Sequence, residues 1–226
     1  MKITFYGHAC FGIEVNGKHL LMDPFISPNE LAKDININEI PADYILISHG
    51  HEDHVADVKT IAERTKAKLV SNYEIITWFA SQGIENGHPM NHGGEWEFDF
   101  GTIKYVNAVH SSVLPDGTYG GNPGGFIIRT EEGNIYYAGD TALTYDMKLI
   151  GESENIDWAL LPIGSNFTMG AQDAVIAAGF IGCDKVIGMH YDTFGFIEID
   201  KEDVKNKFSN AGKELTLMNI GATIDL

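Results

Sequence analysis

An apolar strand that runs directly into a cluster of histidines and acids is the feature that most constrains this chain. The stretch YILIS (residues 44–48) has the continuous apolar character of a buried strand, and HGHEDH (49–54) follows it without a break. Apolar side chains then recur with helical spacing over residues 55–66. In α/β proteins, the ends of strands present side chains to a crevice where ligands bind. The sequence therefore predicts an α/β fold with a functional site at this strand end.

The side chains of this cluster are of the types that bind transition metals. Side chains alternate along an extended segment, so His49 and His51 point the same way and can hold one ion. Asp53 and His54 follow the turn, where they can hold a second ion or support the first. Imidazole and carboxylate together suit Zn, Mn, Fe or Ni. The alternative is an incidental run of solvated histidines, but three of the nine histidines in the chain fall within these six residues.

Three further strands each end at one candidate ligand. The stretch TIKYVNAVH ends at His110, IYYAGD ends at Asp140, and KVIGMH ends at His190. Taken singly, each is better explained as a hydrogen-bonded histidine or a capping aspartate. Together with HGHEDH they supply seven donors, which is enough for two metal ions with positions left open for water and substrate.

The pattern along the rest of the chain indicates a mixed fold. The first half reads as a run of antiparallel strands, with a hairpin at the Asn16-Gly17 turn, and helices then alternate with strands. Besides residues 55–66, helices are predicted over 73–82, 171–182 and 201–212. This mixture predicts an α/β protein of mixed α+β character with more than one sheet. We find no interdomain linker, so one domain over residues 1–226 is expected.

Composition restricts the classes of binding partner and the cellular compartment that we expect. The net charge of −17 argues against binding to nucleic acid or to an anionic membrane, because both favour a basic face. The chain has only two cysteines and they do not form a CxxC motif, which fits a protein of a reducing compartment. There is no signal-peptide pattern and no apolar run near the ~20 residues that span a bilayer. We therefore expect a cytoplasmic protein that acts on a small molecule; homo-oligomer formation is compatible with the sequence but not indicated by it.

Four stretches of the chain resemble motifs of the metallo-β-lactamase superfamily. The stretch YGHACFGIEVNGKHLLMDPF is similar to the opening of its small metal-dependent hydrolases, which are grouped with the ascorbate-6-phosphate lactonases. SHGHEDH is similar to the signature of the superfamily, and AGDTALTYDMKLIGE and MHYDTF resemble its later motifs. The resemblance covers nearly the whole chain. It implies a four-layer αβ/βα sandwich, the metallo-β-lactamase fold, with the site at strand ends between two sheets.

The resemblance also implies a ligand set and a mechanism. His49, His51 and His110 would bind the first metal, Asp53, His54 and His190 the second, and Asp140 would bridge the two. The expected activity is hydrolysis of a small ester, lactone or phosphodiester by a hydroxide held between two divalent metals, zinc first, with manganese, nickel or iron as alternatives. Asp53 and Asp140 would thus be catalytic as well as metal-binding.

Several other residues are secondary candidates. His8 resembles a histidine of the superfamily near the site, and either proton donation to the leaving group or a loop hydrogen bond would explain it. Asp23 is expected to orient a metal-bound imidazole, and the alternative is an aspartate that only serves the turn before Pro24. Tyr119 and Asn122 lie in the Gly- and Pro-rich segment 110–124 and are predicted to contact substrate, against the alternative of a plain connection. The other residues are expected to be structural: Cys10 by packing, and His19, His88 and His92 in loops or at the surface.

Two other functions on the same fold stay open at this level. One is a redox or sulfur-oxidising enzyme with a single iron, against which the full set of seven ligands counts. The other is a non-catalytic metal-binding protein, which would be expected to have lost ligands. Hydrolysis of β-lactam antibiotics is not expected, because Asp140 stands where the zinc β-lactamases have a cysteine.

Overall fold

In the computed structural model, which describes residues 1–226, fourteen strands form two seven-stranded sheets. The first sheet contains β1 (Lys2–Gly7), β2 (Cys10–Val15), β3 (Lys18–Met22), β4 (Tyr44–Leu46), β5 (Lys68–Asn72), β6 (Gly87–Met90) and β14 (Thr223–Asp225). The second contains β7 (Glu95–Phe98), β8 (Gly101–Asn107), β9 (Gly124–Thr130), β10 (Gly133–Tyr137), β11 (Trp158–Pro162), β12 (Lys185–Met189) and β13 (Glu214–Thr216). The strand orders are β14-β1-β2-β3-β4-β5-β6 and β13-β12-β11-β10-β9-β8-β7.

The chain has six α-helices. They are α1 (Glu52–Val55), α2 (Val58–Thr65), α3 (Tyr73–Ser81), α4 (Asp146–Ser153), α5 (Ala171–Ile181) and α6 (Lys201–Asn210). Of these, α2, α3, α5 and α6 pack on the outer faces of the two sheets. Side-chain alternation along β4 assigns its two faces. Ile45 packs with residues of α2 and α3, such as Ile61 and Phe79, whereas Leu46 faces the core between the sheets. On the other side, α5 packs against α4, α6 and β11. The predicted four-layer sandwich is confirmed.

Each sheet changes from antiparallel to parallel pairing part-way across. In the first sheet, β1, β2 and β3 pair antiparallel, and β3, β4, β5 and β6 pair in parallel. The expectation that the first half is a run of antiparallel strands is therefore wrong for β4, β5 and β6, although β7 and β8 pair antiparallel. Crossover segments with α1, α2 and α3 join these later strands, and such crossovers return the chain in the same direction.

Local sequence explains the elements that differ from expectation. The helix predicted over 55–66 is split into α1 and α2, because Asp57 leaves the helical ladder and its Oδ2 accepts hydrogen bonds from the N–H groups of Ile26 and Ser27. Strand β6 was not expected from GHPM, since Gly and Pro disfavour strands, but an edge strand tolerates Pro89. Helix α4 was also not predicted.

A helical segment follows each of the parallel strands β3, β4, β5, β10, β11 and β12 and leads to the next parallel strand, so the carboxyl ends of these strands lie at one edge of each sheet. Strands β4 and β12 bring residues 49–54 and 190–199 to that edge from the two sheets. No helix of the structure has the length and the apolar composition to cross a membrane. The assignment of residues 1–226 to one domain stays a prediction.

Candidate metal centre

Both sheets contribute to one cluster of donors at the edge between them. From the first sheet come the four donors that follow β4. The second sheet contributes three donors. His110 lies three residues after β8, Asp140 lies three residues after β10, and His190 directly follows β12. The structure thus brings together all seven residues that the sequence analysis proposed as ligands.

His49, His51 and His110 form the first group of donors. One ligand atom of each lies within 4.8 Å of the others, and His49 Nε2 is 3.0 Å from His51 Nδ1. The outward nitrogens have their own partners: His49 Nδ1 lies 2.9 Å from Ser48 Oγ, and His51 Nε2 lies 3.2 Å from Ser111 Oγ. These serines hold the rings so that His49 Nε2 and His51 Nδ1 face a common centre, which is how outer hydrogen bonds orient metal ligands.

His8, Asp53, His54 and His190 form the second group, and their ligand atoms also lie within 4.8 Å of one another. Asp53 Oδ2 is 3.1 Å from His8 Nε2, 3.7 Å from His190 Nε2 and 3.8 Å from His54 Nε2. The carboxylate therefore stands among three imidazoles. The sequence analysis placed Asp53, His54 and His190 in this group but did not place His8 there.

Asp140 lies between the two groups. Its Oδ2 is 2.9 Å from His190 Nε2 and 3.4 Å from His54 Nε2, both of the second group, and 3.6 Å from His110 Nε2 of the first. The side chain is only 2% exposed, and no lysine or arginine pairs with it. A carboxylate in contact with both groups has the position that a bridging ligand requires.

Buried donor atoms without hydrogen-bond partners test whether metal ions fit here. Asp140 Oδ1, His54 Nε2 and both ring nitrogens of His190 are buried and form no hydrogen bond; the only polar contacts of the two Nε2 atoms are their ionic contacts with the carboxylates of Asp53 and Asp140. A buried polar atom left unpaired costs roughly 1–3 kcal/mol. Coordination to a cation satisfies imidazole nitrogen and carboxylate oxygen, and both are donors that transition metals prefer. The residues present therefore fit metal ions.

The charges of the cluster also favour bound cations. Burial disfavours ionisation of Asp140, but His190 and His54 outweigh it and hold the pKa of Asp140 well below its usual value. Burial disfavours the charged form of His190 as well, yet Asp140 raises its pKa to about 9. The pKa of His49, which has no carboxylate this close, falls well below 6.5 because of burial. Ionised, buried carboxylates thus draw positive charge into this cluster, and a metal ion would supply it.

Asp23 is linked by buried hydrogen bonds to both groups of donors. Its Oδ2 accepts hydrogen bonds from Ser48 Oγ, from His54 Nδ1 at 2.8 Å and from the Tyr137 hydroxyl at 2.7 Å. Since Ser48 donates to Asp23, it accepts from His49 Nδ1, and one buried carboxylate thus orients an imidazole of each group. This arrangement fits the orienting role expected for Asp23. Neither Ser48, which directly precedes the cluster, nor Tyr137, which lies in an apolar strand, was expected at the site from the sequence.

His8 lies behind Asp53 rather than on the surface of the site. The ring is buried, His8 Nδ1 is 2.9 Å from Thr193 Oγ1, and burial lowers the pKa of His8 to about 4. A neutral ring can donate from Nε2 to Asp53 while Nδ1 accepts from Thr193. The geometry therefore favours a positioning role for His8 over direct protonation of a leaving group.

A cavity of about 580 Å³ opens over the cluster. Its walls are formed by His51, Asp53, His110, Ser111, Asp140, Phe167, His190, Phe194, Gly195 and Phe196. Tyr119 and Asn122, expected to contact substrate, are not among these residues; the Tyr119 hydroxyl instead donates to Asn122 Oδ1 at 2.9 Å. Segment 110–124 contributes only His110 and Ser111 to the wall, and three phenyl rings from segments 164–170 and 190–199 form the part beyond the donors.

The remaining histidines and Cys10 lie apart from the donors. His92 Nε2 bonds to the carbonyl of Pro123, and its ring stacks on Tyr105. His88 packs against Trp96 and Phe98, and His19 lies within β3. Cys10 is buried in the core, where burial raises the pKa of its thiol well above 9. None of the four belongs to the donor groups, as their expected structural roles require, but the expected loop positions of His19 and His88 are wrong, since these residues lie in β3 and β6.

Comparison with known proteins identifies the family. A family model described as the β-lactamase superfamily domain matches residues 2–190, most of the chain. The chain belongs to this superfamily. A UPF0173 metal-dependent hydrolase of Flavobacterium johnsoniae is 61% identical over the full length of both chains, and one of Christiangramia forsetii is 57% identical, also over the full length of both. The protein is accordingly a metal-dependent hydrolase, as the resemblance implied.

A solved structure supports the same conclusion for this superfamily member. Igni18, a metallo hydrolase from the archaeon Ignicoccus hospitalis, superposes with a TM-score of 0.90 at 36% identity. The match covers 99% of this chain and 97% of the archaeal one. The expected metallo-β-lactamase fold is thereby confirmed, and the non-catalytic alternative is excluded by relatives named as hydrolases.

Proposed function

We propose that this superfamily member hydrolyses a small ester, lactone or phosphodiester with two divalent transition-metal ions, zinc first and manganese, nickel or iron as alternatives. His49, His51 and His110 would hold one ion, Asp53, His54 and His190 the other, and Asp140 both. The observation that carries the proposal is the contact of Asp140 Oδ2 with imidazole nitrogens of both donor groups, at 2.9–3.6 Å. A single-iron enzyme would need only one such group.

Bound metal ions would lower the pKa of a coordinated water and polarise the carbonyl or phosphoryl oxygen of the substrate. Among the protein's own groups, Asp53 is placed to orient an attacking water, because its partly exposed carboxylate forms part of the cavity wall. Burial opposes ionisation of Asp53, but His54, His190 and His8 outweigh it and keep its pKa below the usual range. The carboxylate therefore stays an acceptor of hydrogen bonds at neutral pH.

The substrate is proposed to be a free small molecule. A cavity of about 580 Å³ falls within the ~300–1,000 Å³ of ordinary small-molecule sites. The net charge of −17 disfavours approach of the phosphate backbone of a nucleic acid. We propose a cytoplasmic location, on the sequence argument alone.

The test is a panel of esters, lactones and phosphodiesters, assayed on protein reconstituted separately with zinc, manganese or nickel. We expect turnover with at least one metal. Asp140→Ala should abolish it, because its loss separates the two donor groups. His8→Ala should cost roughly 10- to 100-fold, as for residues that act through a ligand. An Asp140→Ala protein with normal turnover and metal content would refute the proposal.

A further inference from the structure

Aromatic rings make up the cavity wall beyond the donors. Apart from the candidate ligands, the wall consists of Phe167, Phe194, Phe196, Gly195 and Ser111. It contains no lysine and no arginine. Once the histidines and aspartates hold metal ions, Ser111 is the one polar side chain left on the wall, and its hydroxyl is already paired with His51 Nε2.

The three rings come from two segments that meet over the donors. Phe167 lies between β11 and α5, and Phe194 and Phe196 follow His190. Phe167 and Phe196 pack with ring centroids 6.3 Å apart, at 78° to one another. Phe194 stands edge-on to His8 at 5.4 Å. Phe196 is 77% exposed and Phe167 51%, so both rings have apolar surface left for a ligand to cover.

Beyond the metal ions themselves, no cationic side chain on this wall favours an anionic substrate. Lys201 is the cation closest in sequence to Phe194 and Phe196, and it is engaged by Asp192 Oδ2 at 2.9 Å and by the Tyr191 ring at 5.7 Å. An anionic group that enters between phenyl rings loses hydration, and no protein cation on the wall replaces it. Recognition of phosphate or carboxylate normally uses arginine, lysine or a helix N-terminus for this purpose.

We propose that the enzyme takes an uncharged substrate whose alkyl or aryl substituent binds against Phe167, Phe194 and Phe196, as in an apolar ester or lactone, and not a phosphodiester. This inference rests on the proposed function for its reaction. It restricts the substrates of the proposed function to uncharged molecules that have an apolar group beside the scissile bond.

The kinetic test compares substrates that share one leaving group on zinc-loaded protein. 4-Nitrophenyl butyrate and 4-nitrophenyl hemisuccinate have four-carbon acyl groups and differ in a terminal carboxylate. We expect kcat/KM for the butyrate to exceed that for the hemisuccinate and for bis(4-nitrophenyl) phosphate by roughly 10-fold or more. Two extra methylenes bound against the rings are worth up to about 15-fold. The wild-type preference for butyrate over acetate should therefore fall several-fold in the Phe167→Ser/Phe196→Ser variant.

The matched control is Tyr73→Ser, which removes an aromatic ring of similar exposure that is not part of the cavity wall. It should keep the wild-type preference for butyrate over acetate. A second readout is independent of turnover: binding of the uncharged N-benzylacetamide to zinc-loaded protein, measured by calorimetry. The double variant should bind it roughly 10-fold more weakly than the wild type, and Tyr73→Ser should not differ.

The outcomes separate the two proposals. Absence of turnover on every substrate, with ring-dependent amide binding, would refute the proposed function and support the apolar site. Hydrolysis of the hemisuccinate or the phosphodiester at least as fast as the butyrate would overturn the inference and leave the proposed hydrolase standing. Amide binding that does not change in the double variant would also overturn it.

Discussion

At the scale of single residues, the orientation of the donors depends on a chain of buried hydroxyls and carboxylates. Ser48 donates to Asp23 and accepts from His49 Nδ1, which leaves His49 Nε2 free to face the centre. Tyr137 and His54 donate to the same carboxylate of Asp23. Such partners fix the ring orientation of a ligand and raise its basicity. The account thus assigns Ser48 a role in metal affinity without contact to the metal.

Ser48→Ala should lower metal affinity roughly 10-fold, because His49 loses the acceptor that fixes its tautomer. Ser71→Ala is the matched control: Ser71 is also fully buried in the first sheet, but its hydroxyl donates to the carbonyl of Ile47. Competition titrations with a chelating dye measure both variants beside the wild type. Equal affinities of the two variants would show that Ser48 serves packing alone.

At the scale of elements, the site could be predicted where strands end and not where loops turn. The seven proposed ligands follow the ends of four apolar stretches, a signal that is visible in the sequence, and the structure brings these residues together. Phe167 was missed because the path of its loop depends on left-handed backbone at Ser165 and Asn166, with φ of 64° and 56°. Non-glycine residues seldom adopt that conformation, and apolar periodicity gives no sign of it. Apolar periodicity also does not indicate which loop lines the cavity, and for this reason segment 110–124 was expected to contact substrate.

The fold, too, could be predicted where it depends on local sequence and not where it depends on tertiary contacts. The hairpin at Asn16-Gly17 and the helices that correspond to α3, α5 and α6 were predicted, because their turn residues and apolar spacing are local properties. The parallel pairing of β3 with β4 was not, since it depends on contacts between segments more than twenty residues apart. Asp57 broke a predicted helix for a similar reason, because its bonds to Ile26 and Ser27 are tertiary.

Asp192 joins the two ends of the segment that contains Phe194 and Phe196. Asp192 Oδ1 accepts from the N–H of Ile199 at 3.1 Å, and Oδ2 pairs with Lys201 at 2.9 Å. Asp192→Ala should loosen this loop and raise KM for an apolar ester roughly 5-fold, the equivalent of one ordinary hydrogen bond at ~1 kcal/mol. Metal content and kcat should change little.

Asp184→Ala is the control for that variant, since Asp184 forms a comparable pair with Lys213 away from the cavity. It should leave KM at the wild-type value. A fall in kcat for Asp192→Ala with KM unchanged would argue that the loop acts on the chemistry and not on binding.

At the scale of the whole molecule, the donors join two sheets whose facing surfaces form a large apolar core. His49, His51, Asp53 and His54 belong to the first sheet's edge, and His110, Asp140 and His190 to the second's. Ions bound between them would stabilise the folded state, because an unfolded chain does not preserve this arrangement. The two halves also repeat one pattern, antiparallel strands followed by parallel ones, although their sequences show no repeat.

Metal loading should therefore raise the melting temperature, and chelation should lower it. Free metal at 100 times Kd stabilises by about 2.7 kcal/mol. At roughly 2–4 °C per kcal/mol for a chain of this size, the expected shift is about 5–10 °C per ion. Scanning calorimetry with and without a chelator measures it. A melting temperature that does not respond to metal would contradict binding between the sheets.

Two donor groups joined by Asp140 predict a definite number of transition-metal ions per chain. Protein purified without chelator, supplemented with zinc and freed of excess by gel filtration, should contain about two ions per chain by elemental mass spectrometry. His110→Ala and His190→Ala, each of which removes a ligand from one group only, should each fall to about one. A wild-type value that stays at or below one ion per chain would contradict the assignment of two donor groups joined by Asp140.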